Sequence, residues 1–202
     1  MSNKLRPKNY LSWSALNTLE NSEEQYRRFY IRGEKMPINQ GMAFGKQVAD
    51  ALEKNETTGD IVTDLILSQL PRCEFRELKI EAKIPIGGEV IPLLSFIDTA
   101  NGIMSAFKEY KTGTTAWDQK KADNHGQITF YCVVMQALTG KIPDDIELIW
   151  APTRKNSSGE MELTGEIRRF KTKRTTADIL KMKIRIKKAW KRIAEMVEEE
   201  LL

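Results

Sequence analysis

The sequence predicts an α/β fold, a mixed central β-sheet flanked by helices. Two observations carry that expectation. Residues 75–111 hold three successive strand patterns, and helical periodicity brackets them at 12–30, 127–139 and 177–200. The chain has 202 residues, 41% of them hydrophobic and 30% charged. That length suits a single domain over residues 1–202 with a substantial core and leaves little for a second.

Each element has a local reason. Ser12 is a good N-cap, and the helix it opens puts Leu16 and Leu19 inward, with Tyr26, Phe29 and Tyr30 near its end. Gly33, Pro37, Asn39 and Gly41 punctuate a loop over residues 32–43. A second helix is expected from about Met42 to Lys54, and a third over residues 60–70, stopped by Pro71. From Phe75 to Ile86, Leu78, Ile80, Ala82 and Ile84 alternate with Glu77, Lys79, Glu81 and Lys83, which buries one face of a strand. Gly87-Gly88 reads as a hairpin turn into Val90–Thr99, and Ile103–Lys111 follows; both strands are apolar enough to be central. Thr112 to Asn124 reads as a polar loop containing Trp117, and Gln127 to Thr139 as an apolar helix closed by Gly140. Strands are expected at Ile146–Thr153 and Glu160–Phe170, joined by the turn Asn156-Ser157-Ser158-Gly159. Thr175-Thr176-Ala177-Asp178 is a capping box. In the helix behind it Ile179, Met182, Ile186, Trp190, Ile193, Val197 and Leu201 keep steps of three and four, so one side packs on the body.

The chemistry is concentrated at Asp98 and at Glu109-Tyr110-Lys111. In an extended strand alternate side chains share a face, so Glu109 and Lys111 point the same way and Tyr110 points to the other. If Asp98 reaches the same edge, two carboxylates, the Tyr110 carbonyl and an ammonium surround one small space. Such a group suits a hard divalent cation, Mg²⁺ or Mn²⁺, with a lysine beside it. The turn between the strands decides whether they meet. A two-residue turn at Asn101-Gly102 would set Asp98 opposite Ser105 and leave Glu109 about 13 Å further along, at ~3.3 Å per residue. The site therefore requires a wider connection, or a bulge that brings the two residues together.

These residues and their order resemble the PD-(D/E)XK nuclease superfamily, in its RecB-like exonuclease branch. Asp98 and Glu109-Tyr110-Lys111-Thr112-Gly113 look like the acidic residue and the (D/E)-x-K of that family. Three further segments fall in its order: Leu11-Ser12-Trp13-Ser14-Ala15-Leu16, Phe44 to Glu53, and Gln127-Ile128-Thr129-Phe130-Tyr131. The resemblance covers roughly residues 11–135. It implies a restriction-endonuclease-like core and a metal-dependent DNA nuclease, an exonuclease of recombination, repair or phage replication. It makes Asp98, Glu109 and Lys111 catalytic and gives the metal to Asp98, Glu109 and the Tyr110 carbonyl. Gln127 and Tyr131, one helical turn apart, hold the lysine and the strand end, or a phosphate. The chain departs from the family at Ala49, where the pattern carries histidine; Asp50 and Glu53 on the same helix are the candidates for a substitute oxygen. Ala49 also supports an alternative, a non-cleaving DNA-binding or scaffold protein that retains the fold.

Charge and cysteine usage narrow the setting. The net charge is only +4, yet twelve Lys or Arg stand between Arg168 and Arg192 against one acid, Asp178. Beside a phosphodiesterase-like site, that stretch reads as a footprint for DNA, with Lys181, Lys183, Arg185 and Lys188 as supporting contacts. A recombination or replication protein is the further partner expected. His125, the sole histidine, precedes the Gln127 helix and is not expected to be a metal ligand. Cys73 and Cys132 are too few for a disulfide framework or a four-thiolate iron–sulfur cluster. No run of 18 apolar residues is present, so no membrane span is expected. With no secretory signal pattern at the start, a cytoplasmic location is expected.

Overall fold

The structure is a computed structural model that describes residues 8–201. Seven strands form one mixed sheet with helices on both faces. In chain order the elements are β1 (Leu11–Ser12), α1 (Trp13–Asn21), α2 (Glu23–Tyr26) with a π-helical turn at Arg27–Ile31, α3 (Gln40–Lys54) and α4 (Ile61–Gln69). Then come β2 (Phe75–Ile86), β3 (Glu89–Ala100), β4 (Ala106–Gly113), α5 (Gln119–Asp123) and α6 (Gly126–Thr139). The chain ends with β5 (Asp145–Lys155), β6 (Met161–Leu163), β7 (Arg168–Thr172) and α7 (Thr176–Leu201).

β3 organises the sheet. One edge pairs antiparallel with β2 from Glu89 to Ala100. The other edge is shared: β1 runs parallel to it at Leu93 and Leu94, and β4 pairs antiparallel only at Thr99 and Ala100. Residues 95–98 of that edge therefore have no strand beside them, and the sheet forks there. Beyond the fork β4 runs parallel to β5 over its whole length, from Ala106 to Gly113. β7 and then β6 take the far edge of β5.

The connection between β3 and β4 is the wide one. Ala100 faces Phe107, and Asn101 N–H donates to the Ala106 carbonyl at 3.0 Å. The Asn101 side chain supports the loop by accepting from the amides of Ser105 and Ala106 at 2.9 and 3.0 Å. This register puts Asp98 directly opposite Glu109 rather than opposite Ser105. β4 starts at Ala106, three residues later than the pattern suggests, because Ile103–Ser105 belong to this loop.

Two layers cover the sheet. On one face α6 packs against the sheet with Ile128 to Met135 all buried, and α1 and α7 pack over it. α7 buries Ile179, Met182, Ile186, Ala189, Ile193 and Met196, while Leu201 is exposed. Its capping box is reciprocal: Asp178 N–H donates to Thr175 Oγ1 at 3.2 Å, and Thr175 N–H to Asp178 Oδ2 at 2.8 Å. On the other face Val48, Ala51, Leu52, Leu67 and Leu70 of α3, α4 and their junction pack against Ile149.

Two expected elements are broken. The helix expected over 12–30 stops at Ser22, whose extended backbone ends α1 and whose hydroxyl accepts from Gln25 N–H at 3.2 Å to start α2. Ser22-Glu23-Glu24-Gln25 is itself a capping sequence, and it competes successfully with helix continuation. The strand expected over 160–170 is split into β6 and β7 by Thr164–Ile167, with Gly165 at φ +89°. A glycine adopts that conformation without a Cβ penalty, so the chain turns from one part of the β5 edge to the other. The expected loop 112–124 also contains α5, capped by Asp118, which accepts from Lys121 N–H at 2.7 Å.

Gly126 lets α6 approach the first helix. A Cβ there would lie 2.2 Å from the Trp13 ring, far inside contact distance. Gly126→Ala should therefore displace Trp13 and destabilise the protein by about 1–3 kcal/mol in urea unfolding, the usual range for overpacking. An unchanged midpoint would mean that Trp13 does not hold α6 in place.

Candidate active site

The fork gathers Asp98 from β3 and Glu109, Tyr110 and Lys111 from β4. Tyr110 N–H finds no β3 carbonyl beyond the fork and donates instead to Asp98 Oδ2 at 2.6 Å. A strand residue presents N–H and C=O to the same edge, so the Tyr110 carbonyl also faces this gap. The Asp98 and Glu109 carboxyl groups are close enough that the charge of Glu109 raises the pKa of Asp98. Glu109 is 2% exposed, and its Oε1 accepts from Lys111 Nζ at 2.6 Å.

Lys111 is held from a second side. Its ammonium donates to Gln127 Oε1 at 2.8 Å, and Gln127 Nε2 donates to the Tyr131 hydroxyl at 2.6 Å. That hydroxyl donates in turn to the Phe96 carbonyl, on the β3 edge that no strand covers. The chain of bonds satisfies a buried backbone acceptor and fixes the lysine in one step. Gln127 and Tyr131 sit four residues apart on α6, so one helix face supplies both.

The electrostatics follow from burial. Burial is the largest influence on Asp98 and pushes its carboxyl well above the usual range; Glu109 raises it further, while Lys111 and the Tyr110 amide pull it down. Burial likewise raises Glu109 against the pull of Lys111. For Lys111 burial works against the charge, but Glu109 and Asp98 outweigh it and keep the ammonium firmly protonated. Glu109 Oε2 is buried without a hydrogen-bond partner. An orphaned carboxylate oxygen beside a second carboxylate and a free carbonyl fits a hard cation. Among the described residues no three His, Cys, Asp or Glu side chains form a cage, so such a cation would keep several waters.

Asp98, Tyr110 and Thr112 form one wall of a cavity of about 110 Å³, and α3 forms the opposite wall with Gly45, Val48, Ala49, Leu52 and Glu53. Gly45 permits the approach, since a Cβ there would stand 3.0 Å from Thr112 Oγ1. Ala49 thus faces the site, where histidine would reach into it. Of the two substitute oxygens, Glu53 lines the cavity, whereas Asp50 is held by Lys46 at 3.0 Å. His125 does not reach the carboxylates as a ligand. It packs between Trp13 and Trp117, at ring distances of 6.2 and 4.9 Å, and burial with nearby Lys111 lowers its pKa to about 3.

Three cavity residues escape the sequence patterns: Arg72, Arg76 and Glu77. Glu77 stands on β2 beside Asp98 with φ +43°, a conformation uncommon for a non-glycine residue. A hydrogen bond with Glu53, then burial and that residue's charge, raise its pKa to about 7. The alternating pattern of β2 marks Glu77 only as one more outward charge, and no residue type betrays the positive φ. The basic residues of α7 stand elsewhere. Lys181, Lys183, Arg185 and Lys188 do not line the cavity. Arg185 is paired with Glu20 at 2.6 Å, and the neighbouring Lys187 donates to the Gly87 carbonyl at 2.7 Å. Gly87 follows the far end of β2, ten residues from Glu77, a path on the order of 30 Å at ~3.3 Å per residue.

No protein-family description matches the sequence, and no curated protein matches it. A solved structure shares the fold. A candidate exonuclease from Eubacterium rectale superimposes with a TM-score of 0.61 at 14% identity, over 96% of this chain and 83% of that one. An alkaline exonuclease from Laribacter hongkongensis overlays more loosely, with a TM-score of 0.46 at 12% identity over 95% and 91%. That second overlay is too distant to carry weight.

The raised Asp98 pKa has a consequence for stability. A carboxyl whose folded pKa exceeds its unfolded one is stabilising below the unfolded value, near pH 4, and that contribution is lost as pH rises through the folded value. Asp98→Asn keeps an acceptor for Tyr110 N–H and removes the charge. In metal-free buffer it should raise unfolding stability at pH 7 by on the order of 1–2 kcal/mol. The gain should shrink as pH falls toward 4. A gain that is independent of pH would assign the effect to packing.

Proposed function

We propose that the chain is a metal-dependent deoxyribonuclease that hydrolyses phosphodiester bonds, acting as an exonuclease in recombination, repair or phage replication. The observation that carries this reading is the buried Glu109 carboxylate, one oxygen on Lys111 and the other unpartnered, directly across from Asp98. The fold shared with the Eubacterium rectale candidate exonuclease supports it. So does the order of Asp98 and Glu109-Tyr110-Lys111, with Gln127 and Tyr131 behind them.

Mg²⁺ or Mn²⁺ would be held by Asp98, Glu109 and the Tyr110 carbonyl; once bound, it would acidify a water and withdraw charge from the scissile phosphate. The chain's own residues do the rest. Lys111, fixed between Glu109 and Gln127, holds a positive charge where negative charge grows on the phosphate oxygens. Its hydrogen bonds are already made, so little reorganisation is needed during reaction. Gln127 and Tyr131 are positioning residues: they act through Lys111 and the β3 edge.

Incubation of labelled linear and circular DNA, single- and double-stranded, with Mg²⁺, Mn²⁺ or EDTA tests the reading. Linear DNA should be degraded with either metal, circular DNA spared, and EDTA should abolish cleavage. Glu109→Gln and Lys111→Met should each lower turnover by about 10²–10³-fold or more, in the range of losing one electrostatic contact to a transition state. Ala49 at the cavity wall favours a second reading, a DNA-binding protein that does not cut. Binding without cleavage under every metal condition would establish that one instead.

A further inference from the structure

The arginines among the described residues are nearly all occupied. Among the described residues Arg27, Arg28, Arg32, Arg154, Arg168, Arg169, Arg185 and Arg192 are each paired with a carboxylate. Arg174 is buried and bonded to hydroxyls and carbonyls. Two remain without an acid: Arg72, which reaches only the Asn55 amide oxygen and the Leu67 carbonyl, and Arg76, which makes no side-chain hydrogen bond. Both line the cavity at the fork, facing Asp98 and Tyr110. They stay unpaired although Glu53 and Glu77 line the same cavity.

Their backbone is tied to the catalytic strands. The Tyr110 hydroxyl donates to the Pro71 carbonyl. Cys73 N–H donates to Thr99 Oγ1 at 2.7 Å, and Thr99 Oγ1 donates to the Phe75 carbonyl at 2.8 Å. Thr99 is 1% exposed and adjoins Asp98, so the segment from Pro71 to Arg76 moves with the carboxylates rather than as a free loop. Arg76 pairs across the ladder with Thr99 itself. A guanidinium costs less to desolvate than an ammonium and offers a planar fork that matches a phosphate. An unpaired one fixed at the rim of an acidic cavity is equipped to hold an anion that the carboxylates would otherwise repel.

We infer that Arg72 and Arg76 grip the backbone phosphates next to the one to be cut, and that this wall, not the basic face of α7, seats the nucleic acid. The inference rests on the phosphodiesterase reading and assigns its substrate contacts. Arg72 and Arg76 bind and position the strand; Asp98, Glu109 and Lys111 remain the reacting centre. The remoteness of Lys187 and the pairing of Arg185 leave α7 in the role of a solvated helix face.

The test is fluorescence anisotropy with labelled single- and double-stranded oligonucleotides in Ca²⁺, over a range of salt, using Arg76→Gln, the double variant Arg72→Gln/Arg76→Gln and the triple variant Lys181→Gln/Lys183→Gln/Lys188→Gln. The Arg76 side chain makes no internal hydrogen bond, so its substitution should leave the fold intact, which an unchanged unfolding midpoint verifies. Arg76→Gln is expected to weaken binding about tenfold and to lower the salt slope by about 0.7–0.9, the loss of one phosphate contact. The double variant should lose about twice that slope, and the α7 variant less than either. Wild-type affinity and slope in Arg76→Gln and the double variant would overturn the inference while leaving cleavage by the wild type, and hence the nuclease reading, untouched. A wild type that binds DNA but fails to cut it, with binding lost in the double variant, upholds Arg72 and Arg76 as the phosphate contacts and refutes the nuclease reading. No DNA binding by the wild type in any condition would refute both.

Discussion

Two carboxyl groups that burial pushes toward protonation stand where β3 and β4 part, and one ammonium answers them. Glu109 is almost wholly enclosed, so its charge is tolerable only because Lys111 lies at 2.6 Å. Lys111 is itself partly buried, and the two carboxylates outweigh that burial and hold its proton in place. Such a group adds little to stability by comparison with a well-packed apolar core, since desolvation offsets most of the attraction. Its persistence makes sense as preorganised chemistry. The orphaned Glu109 oxygen points the same way, because a purely structural ion pair would leave no buried acceptor unsatisfied.

The surrounding fold sets the dimensions of that group. β1 and β4 claim different parts of one β3 edge, and residues 95–98 between them stay open. The open stretch would leave backbone groups unpaired, and it is closed by side chains: Asp98 takes the Tyr110 amide, and Tyr131 takes the Phe96 carbonyl. The side chains that repair the sheet are thus those placed around the site, so the architecture and the proposed chemistry depend on the same few bonds. Thr99 extends the arrangement to the segment leading into β2 that carries Arg72 and Arg76.

Much of this was legible in the sequence. The strand patterns over 75–111, the apolar α6 and the capping box of α7 reflect burial and local hydrogen bonding, which residue types report directly. Asp98 and Glu109 meet only because the chain avoids the tight Asn101-Gly102 turn, and the wider loop depends on Asn101 bonding to Ser105 and Ala106. The break at Ser22 is hidden because a serine within a periodic run reads as a tolerated helix residue, although Ser22 carries its own capping sequence. β6 and β7 merged into one expected strand because the turn at Gly165 interrupts no hydrophobic pattern. Arg72, Arg76 and Glu77 were invisible for a different reason. Their position at the cavity comes from a positive φ and from hydrogen bonds across 24 or more residues, neither of which local spacing encodes. The basic density of α7, conversely, is conspicuous in sequence, yet Arg185, Lys187 and Arg192 are engaged with Glu20, the Gly87 carbonyl and Glu23.

The central claim is that Asp98 and Glu109 form a cation site in the folded protein. A ligand that binds only the folded state raises the unfolding midpoint in proportion to its concentration over Kd. Thermal unfolding followed across a Mn²⁺ titration, for the wild type and for Asp98→Asn/Glu109→Gln, measures this without reference to any substrate. The account predicts a midpoint that climbs with Mn²⁺ in the wild type and stays flat in the double variant. An equal climb in both proteins would place the metal elsewhere and contradict the account.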